Sequence, residues 1–353
     1  MNSLVRPFGP GPSTGNRNGL PIVEVVSVRW CFKGWDSVMR YQAVREDLVS
    51  IPDNPVPGGH KVSRVVTQDG VGLRAAHWKP AGRENGKVVL VLQGRTEFIE
   101  RYAETVGELL RRGFHVVSFD WRGQGGSARL LPDRAKGHVQ RFDDYLFDLD
   151  AVLTQIVDPL DGMVKIALAH SMGGAVLLRA LQRNGHGFER CVLSAPMIGL
   201  SMVNAPKVAG FAAGLLAKLG LSVRYVPGGT AEPTFPFPDN PLTRDASRHA
   251  IAGKVFEMAP DLAIGSPTIG WTATSFNAMF DLQHPSVASA IATPILIAAS
   301  PTDRITSTPV AQAFAERLPN GQFLAIPDAE HEILLEIDPV RATFWQAFDG
   351  FIG

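Results

Sequence analysis

From Val62 onward, short apolar runs alternate with stretches whose apolar residues recur every three or four positions. Residues 62–67 and 71–78 flank Asp69-Gly70 and read as a hairpin. The runs at 87–92, 114–119, 165–169, 189–194, 294–299 and 322–326 are short and unbroken, as in parallel strands buried on both faces. Helical stripes lie between them. One is carried by Ile99, Tyr102, Ala103, Val106 and Leu110, another by Phe142, Leu146, Leu149, Leu153 and Ile156, and further helices fall at 310–318 and 338–352. Strand alternating with helix predicts an α/β fold, a mostly parallel sheet with helices on both faces.

Two stretches depart from this alternation. Residues 1–50 read as an N-terminal extension, largely disordered: the first twenty are rich in Gly, Pro, Ser and Asn, and the rest hold apolar patches without a sustained period. Pro52, Pro55 and Pro57 punctuate the entry into the folded part. Residues 197–290 contain no convincing strand, several prolines (Pro233, Pro236, Pro238, Pro241) and apolar helical stretches such as 211–221. They predict a helical cap inserted between two core strands and lying over the strands' carboxyl ends. A helical extension without a substrate role would show the same pattern. The expected domains are a core of residues 51–196 and 291–353 and a cap of residues 197–290.

The run 165–178 carries the candidate chemistry. A buried strand ends at His170, and Ala175, Val176, Leu177, Leu178, Ala180 and Leu181 begin a buried helix. Ser171 falls on the sharp turn between them, with the small residues Ala169 and Gly173 two positions to either side. Such a turn, the nucleophile elbow, holds a hydroxyl clear of the sheet edge. A serine hydroxyl attacks only when a base takes its proton, and that base is oriented and stabilised by a carboxylate. Asp303 follows the run 294–299 and His331 follows the run 322–326, each on the loop at a strand's carboxyl end. Asp328 and Glu330 are rival acids, but they share the histidine's own loop, where its other ring nitrogen is awkward to reach. His170 reads as a packing or hydrogen-bonding residue. Two backbone N–H groups must meet the developing oxyanion. They are assigned to Met172, directly after the nucleophile, and Arg95, in the loop after the run 87–92. The Arg95 cation is free of that role and suits an anionic headgroup.

Composition narrows the function further. Lys plus Arg equals Asp plus Glu at 34 each, so formal net charge is zero and no basic field suggests nucleic acid. Two cysteines in 353 residues make no disulfide framework, which points to a reducing, cytoplasmic setting. No Cys/His cluster has zinc spacing, and no metal or cofactor is called for. No apolar run is long enough to cross a bilayer, and no basic segment followed by an apolar one opens the chain.

Several ordered motifs combine with these residues: Gln93-Gly94-Arg95-Thr96-Glu97-Phe98-Ile99-Glu100-Arg101-Tyr102, Asp120-Trp121-Arg122-Gly123-Gln124-Gly125, His170-Ser171-Met172-Gly173-Gly174, Asp239-Asn240-Pro241-Leu242-Thr243, Asp303 and His331-Glu332. Over residues 47–350 the chain resembles α/β hydrolases of the bacterial lysophospholipase and monoacylglycerol lipase group. The resemblance implies cofactor-free ester hydrolysis and a cap that forms an acyl-binding cavity. Leu215, Leu216, Trp271 and Phe276 are the expected substrate-binding residues, and the apolar cap would let the protein rest peripherally at the inner face of a membrane. Ala169 departs from the usual glycine. Gln93 stands where many monoacylglycerol lipases carry histidine, which leans towards lysophospholipids. A peptidase of the same fold would need an acidic anchor in the cap, for which Glu232, Asp239 and Asp245 are candidates. A non-catalytic ligand-binding relative is the remaining alternative.

Overall fold

The computed structural model describes residues 44–353 apart from 234, 235 and 238; most of the N-terminal extension lies outside the described residues. Eight strands form one sheet: β1 (His60–Val66), β2 (Gly72–Trp78), β3 (Lys87–Leu92), β4 (His115–Phe119), β5 (Val164–His170), β6 (Phe188–Ser194), β7 (Ile295–Ala299) and β8 (Gly321–Ala325). The spatial order is β1-β2-β4-β3-β5-β6-β7-β8. β2 pairs antiparallel with β1 and β4, and every other pairing is parallel. The chain runs outward from β3 to β4 and then returns to the other side of β3 for β5. Loops leaving the carboxyl ends of β3 and β5 therefore diverge there, and an open parallel sheet binds its ligand in the crevice this leaves.

The helices are α1 (Ala103–Arg111), α2 (Asp144–Val152), α3 (Ser171–Asn184), α4 (Pro206–Leu216), α5 (Ala246–Met258), α6 (Ile269–Leu282), α7 (Pro285–Ser289), α8 (Thr308–Ala315) and α9 (Asp338–Ile352). One apolar layer packs α2, α3, α6 and α8 against one side of the sheet, and a second packs α1 and α9 against the other. Central-strand residues such as Val89, Leu90, Leu168 and Val192 are sealed from solvent, which is why their runs contain no polar alternation. α4 to α7 fall between β6 and β7.

Residues 44–50, assigned to the extension from sequence, are in part built into the core. The Arg45 N–H donates to the Gly126 carbonyl (2.9 Å) and the Val49 N–H to Glu100 Oε1 (3.1 Å). Val49 and Ile51 bury against Phe98 and against Ile251 and Val255 of α5. Their contacts are with loops and a cap helix rather than with a strand partner, so they carry no periodic signature.

The Asp120-to-Gly125 turn is organised by a buried charge cluster. Arg74 is forked onto Glu100 (2.8 Å to each oxygen) while its Nε donates to Asp120 Oδ2 (2.7 Å). Asp120 also accepts the N–H groups of Ile99 (2.9 Å) and Gly126 (2.7 Å). A buried charge is tolerable when paired and hydrogen-bonded in this way. The turn then braces the loop after β3. Trp121 Nε1–H donates to the Gln93 carbonyl (2.9 Å), and Gln124 Nε2 donates to the carbonyls of Gly94 (2.9 Å) and Glu97 (3.0 Å).

Candidate active site

Ser171 is the first residue of α3, directly after β5, and its φ of 49° lies in the left-handed region that non-glycine residues rarely adopt. The surrounding packing holds that strain: the Ser171 carbonyl accepts the Met197 N–H (3.0 Å), and Ala169 is locked between Leu92 and Leu193 in the sheet. Backbone strain of this kind is kept where it positions a reacting group. Space is just as tight two residues on. A Cβ on Gly173 would lie 2.5 Å from the Leu92 carbonyl oxygen and 2.6 Å from that of Gln93. Gly173→Ala is therefore expected to displace the loop after β3 and lower kcat roughly a hundredfold, the scale of a 1 Å misplacement. Steady-state kinetics on the folded variant check this, and an unchanged kcat would show that the loop position is not critical.

The structure brings Ser171, His331 and Asp303 together from three separate loops. His331 Nε2 is 3.0 Å from Ser171 Oγ, and its Nδ1 is 2.8 Å from Asp303 Oδ2. Asp303 Oδ1 accepts the N–H groups of Ile305 (2.7 Å) and Thr306 (2.9 Å), while Oδ2 also accepts the Thr306 hydroxyl (2.6 Å). The acid and histidine loops are tied by the Ser300 and Thr302 hydroxyls, which both donate to the Ala329 carbonyl (2.6 and 2.7 Å). The cap secures the histidine backbone as well. His331 N–H donates to the Pro241 carbonyl (3.3 Å) and Glu332 N–H to that of Leu242 (2.7 Å), in a turn folded around Asn240. The rival acids point elsewhere. Asp328 is 83% exposed at its side chain and faces Arg244, and Glu330 faces Arg304.

Electrostatics favour a charged histidine. Burial disfavours the His331 imidazolium, but the hydrogen bond and charge of Asp303, aided by Glu332 and Glu97, outweigh it and hold the histidine above its ordinary value. Burial likewise opposes ionisation of Asp303, but His331, Thr306 and the backbone donors keep its carboxyl below the usual range. His170 behaves in the opposite way. Burial, and then the facing His331 ring 4.7 Å away, push it down to about 3. Its Nδ1 lies 3.1 Å from the Ser194 carbonyl, so the ring is neutral and donates there. It packs against the His331 ring, a contact the sequence does not suggest. Glu97 and Glu332 were missed too. Glu97 accepts the Gly94 N–H and the Tyr102 hydroxyl (2.7 Å), and Glu332 pairs with buried Arg101.

Taking the Gly94 N–H out of play leaves the next one. Among the described residues the Arg95 N–H donates to no protein group, and Met172 N–H opens the first turn of α3, where amides have no intrahelical acceptor. Met172 itself is buried. The cap residues divide. Trp271 is buried, donates to the Tyr145 hydroxyl (3.0 Å) and lies under the Arg95 guanidinium at 5.0 Å. Phe276 lines a groove of about 490 Å³ between α4, α6 and the loop after β6, whose walls include none of the three relay residues. Leu216 is half-buried. Leu215 is 49% exposed and shares the solvent-facing side of α4 with Phe211 (75%). α4 is apolar on every side, so periodicity does not distinguish its inner from its outer face.

A serine on a strand–helix turn, answered by an acid and a histidine after later strands of one mostly parallel sheet, defines a serine-type α/β hydrolase. Residues 83–338 match the family described as Serine aminopeptidase, S33, and the chain belongs to that family. It is 33% identical over 280 residues to lysophospholipase L2 of Escherichia coli, covering 76% of this chain and 81% of that protein. It is 29% identical over 266 residues to probable lysophospholipase L2 of Haemophilus influenzae, covering 75% and 83%. Among solved structures, a soluble variant of monoglyceride lipase from Saccharomyces cerevisiae superposes with a TM-score of 0.64 at 19% identity, over 83% of this chain and 95% of that one. At that identity the likeness is one of fold. The resemblance to the lysophospholipase and monoacylglycerol lipase group read from the motifs stands.

Proposed function

We propose that this protein hydrolyses the carboxylic ester of a single-chain lipid, a lysophospholipid first and a monoacylglycerol second. The observation that carries the reading is the continuous relay from Ser171 Oγ through His331 to Asp303. His331 Nε2 takes the hydroxyl proton as Ser171 attacks the ester carbonyl, and Asp303 stabilises the imidazolium. The amides of Arg95 and Met172 receive the oxyanion. His331 then gives its proton to the departing glycerol oxygen, leaving an acyl-serine. Water, deprotonated by the same nitrogen, attacks the acyl-serine, and His331 returns the proton to Ser171 Oγ as the fatty acid leaves. The names of the relatives support a lysolipid substrate. Two of the three acids that could anchor a peptidase substrate are engaged elsewhere: Asp245 caps α5 and pairs with Arg248, and Asp239 pairs with Arg304.

A fluorophosphonate probe should label Ser171, and a panel of lysophospholipids, monoacylglycerols, short esters and aminoacyl amides should place lysophospholipids highest in kcat/KM. Preferred cleavage of the amides would overturn the lipid reading.

Long-chain substrates reside in membranes or micelles, and the exposed apolar face of α4 supports peripheral contact with them. Phe211 and Leu215 project there, flanked by the exposed Lys207 and Lys218. Among the described residues no helix is long and apolar enough to cross a membrane. Partial burial of such a face in the headgroup region, with lysines towards anionic lipid, gives reversible attachment. Phe211→Ser with Leu215→Ser is expected to reduce co-sedimentation with anionic phospholipid vesicles severalfold while leaving hydrolysis of a short soluble ester intact. Unchanged vesicle binding would remove this face from the interaction.

A further inference from the structure

Arg95 differs from the other arginines near the core. Arg74, Arg101, Arg122 and Arg341 all face carboxylates, and Arg129 donates to the carbonyls of Gly125, Ser127, Arg134, Asp261 and Leu262. The Arg95 guanidinium makes one hydrogen bond, from Nη2 to the Gly265 carbonyl (2.8 Å), and stacks on Trp271. Its Nε is sealed from solvent without an acceptor, and no carboxylate pairs with it among the described residues. A donor such as Nε is costly to leave unused where water does not reach it. Burial pushes Arg95 down to about 10, so it still carries its charge at neutral pH.

A second unused donor stands beside it. The Tyr225 hydroxyl is also buried without a partner, and Tyr225 and Arg95 lie close enough to influence each other electrostatically. Lys136 sits 5.2 Å over the Tyr225 ring and pairs with Asp133 at 3.5 Å. The strand-like contact of Tyr225 with Thr268 and the hold of Gly265 on Arg95 place this cluster at the seam between cap and core.

We infer that Arg95 and Tyr225, with Lys136 behind them, form a binding site for the phosphate of the substrate headgroup. The inference rests on the ester-hydrolase reading and narrows it. With the backbone N–H of Arg95 as oxyanion donor, its guanidinium would stand about one side-chain length from the reacting carbonyl. A glycerol unit of about that length separates the ester from the phosphate in a lysophospholipid. The planar fork suits two phosphate oxygens, and the phosphate satisfies Nε and the tyrosine hydroxyl together. A monoacylglycerol offers no anion, and both donors then stay unsatisfied. The site thereby discriminates between the two lipid classes.

The test uses the full-length protein and two readouts. In the first, glycerol 3-phosphate, glycerol and inorganic phosphate compete with hydrolysis of a short soluble ester. Glycerol 3-phosphate is expected to raise the apparent KM of the wild type, with phosphate weaker and glycerol without effect. In the second, kcat/KM for a palmitoyl lysophosphatidylethanolamine is divided by that for palmitoylglycerol. Arg95→Met keeps the backbone donor and the stacking volume. It should abolish the competition and lower the ratio ten- to a hundredfold, mainly through KM, as expected for losing a charged hydrogen bond. Tyr225→Phe, which removes one oxygen without threatening the fold, should lower the ratio severalfold. An unchanged ratio and unchanged competition in both variants would overturn the site. Equal competition by phosphate and glycerol 3-phosphate would overturn its assignment to a lipid headgroup. If the wild type cleaves neither lipid yet glycerol 3-phosphate still competes through Arg95, the anion site stands and the lipid-ester reading falls.

Discussion

Ser171→Ala is expected to lower kcat by about five to six orders of magnitude, the scale seen when the nucleophile of a serine hydrolase is removed. The hydroxyl makes one side-chain hydrogen bond, the 3.0 Å bond to His331, so the deletion removes the reacting atom without opening a cavity in the core. Alanine keeps the left-handed backbone at this position, which is enforced by the elbow rather than by the side chain. Thermal unfolding should therefore stay within a few degrees of the wild type, because the change opens no core cavity and breaks no buried charge pair. The residual rate reports what the oxyanion amides and substrate binding achieve alone. Near-normal turnover in this variant, or fluorophosphonate labelling at another residue, would remove the whole mechanism.

The frame of the fold is legible in the chain because its central strands are covered on both sides. Val88 to Leu92 and Ile166 to Ala169 are buried without exception, and such strands announce themselves as unbroken apolar runs bounded by polar turns. The relay is legible because each member follows a strand, so position in the α/β alternation identifies the loop. The supports of that relay are not legible in the same way. Gln124 braces Gly94 and the Asn240 turn holds His331 across 30 and roughly 90 residues of sequence, through bonds to backbone carbonyls that leave no trace in residue type or spacing. The pairing of Arg74 with Glu100 and Asp120 is equally hidden, since each residue alone reads as an ordinary surface charge. The exposure of Leu215 is hidden for a different reason. A helix apolar all round gives no indication of which side meets the core, and here the loss of one face to solvent is decided by how α4 packs on α6.

The carboxylate of the relay offers the sharpest test of how the site is wired. Asp303 Oδ1 is fixed as an acceptor by two backbone donors, the N–H groups of Ile305 and Thr306. When Asp303 is replaced by Asn, those two donors can be met only by the amide oxygen, because an NH₂ group there would face N–H on N–H. The NH₂ group must then occupy the Oδ2 position, 2.8 Å from His331 Nδ1. It donates to that nitrogen, so the histidine proton moves to Nε2, the atom that has to accept the proton of Ser171. The variant thus holds the wrong tautomer and loses the charge that stabilises the imidazolium. By analogy with serine proteases the expected loss in kcat is about 10⁴-fold. The sign of the pH effect follows from the same charge. In the wild type His331 is held above its ordinary value, so the neutral, reactive form grows in as pH rises past that raised point. Removing the carboxylate lowers the histidine, and the small remaining activity of Asp303→Asn should reach its plateau at lower pH than the wild type does. Asp328→Asn, at an exposed side chain facing Arg244, should change neither the rate nor the profile. A pH–rate comparison of the three proteins on one soluble ester decides the matter. A harmless Asp303→Asn beside a damaging Asp328→Asn would transfer the acid's role to the histidine loop.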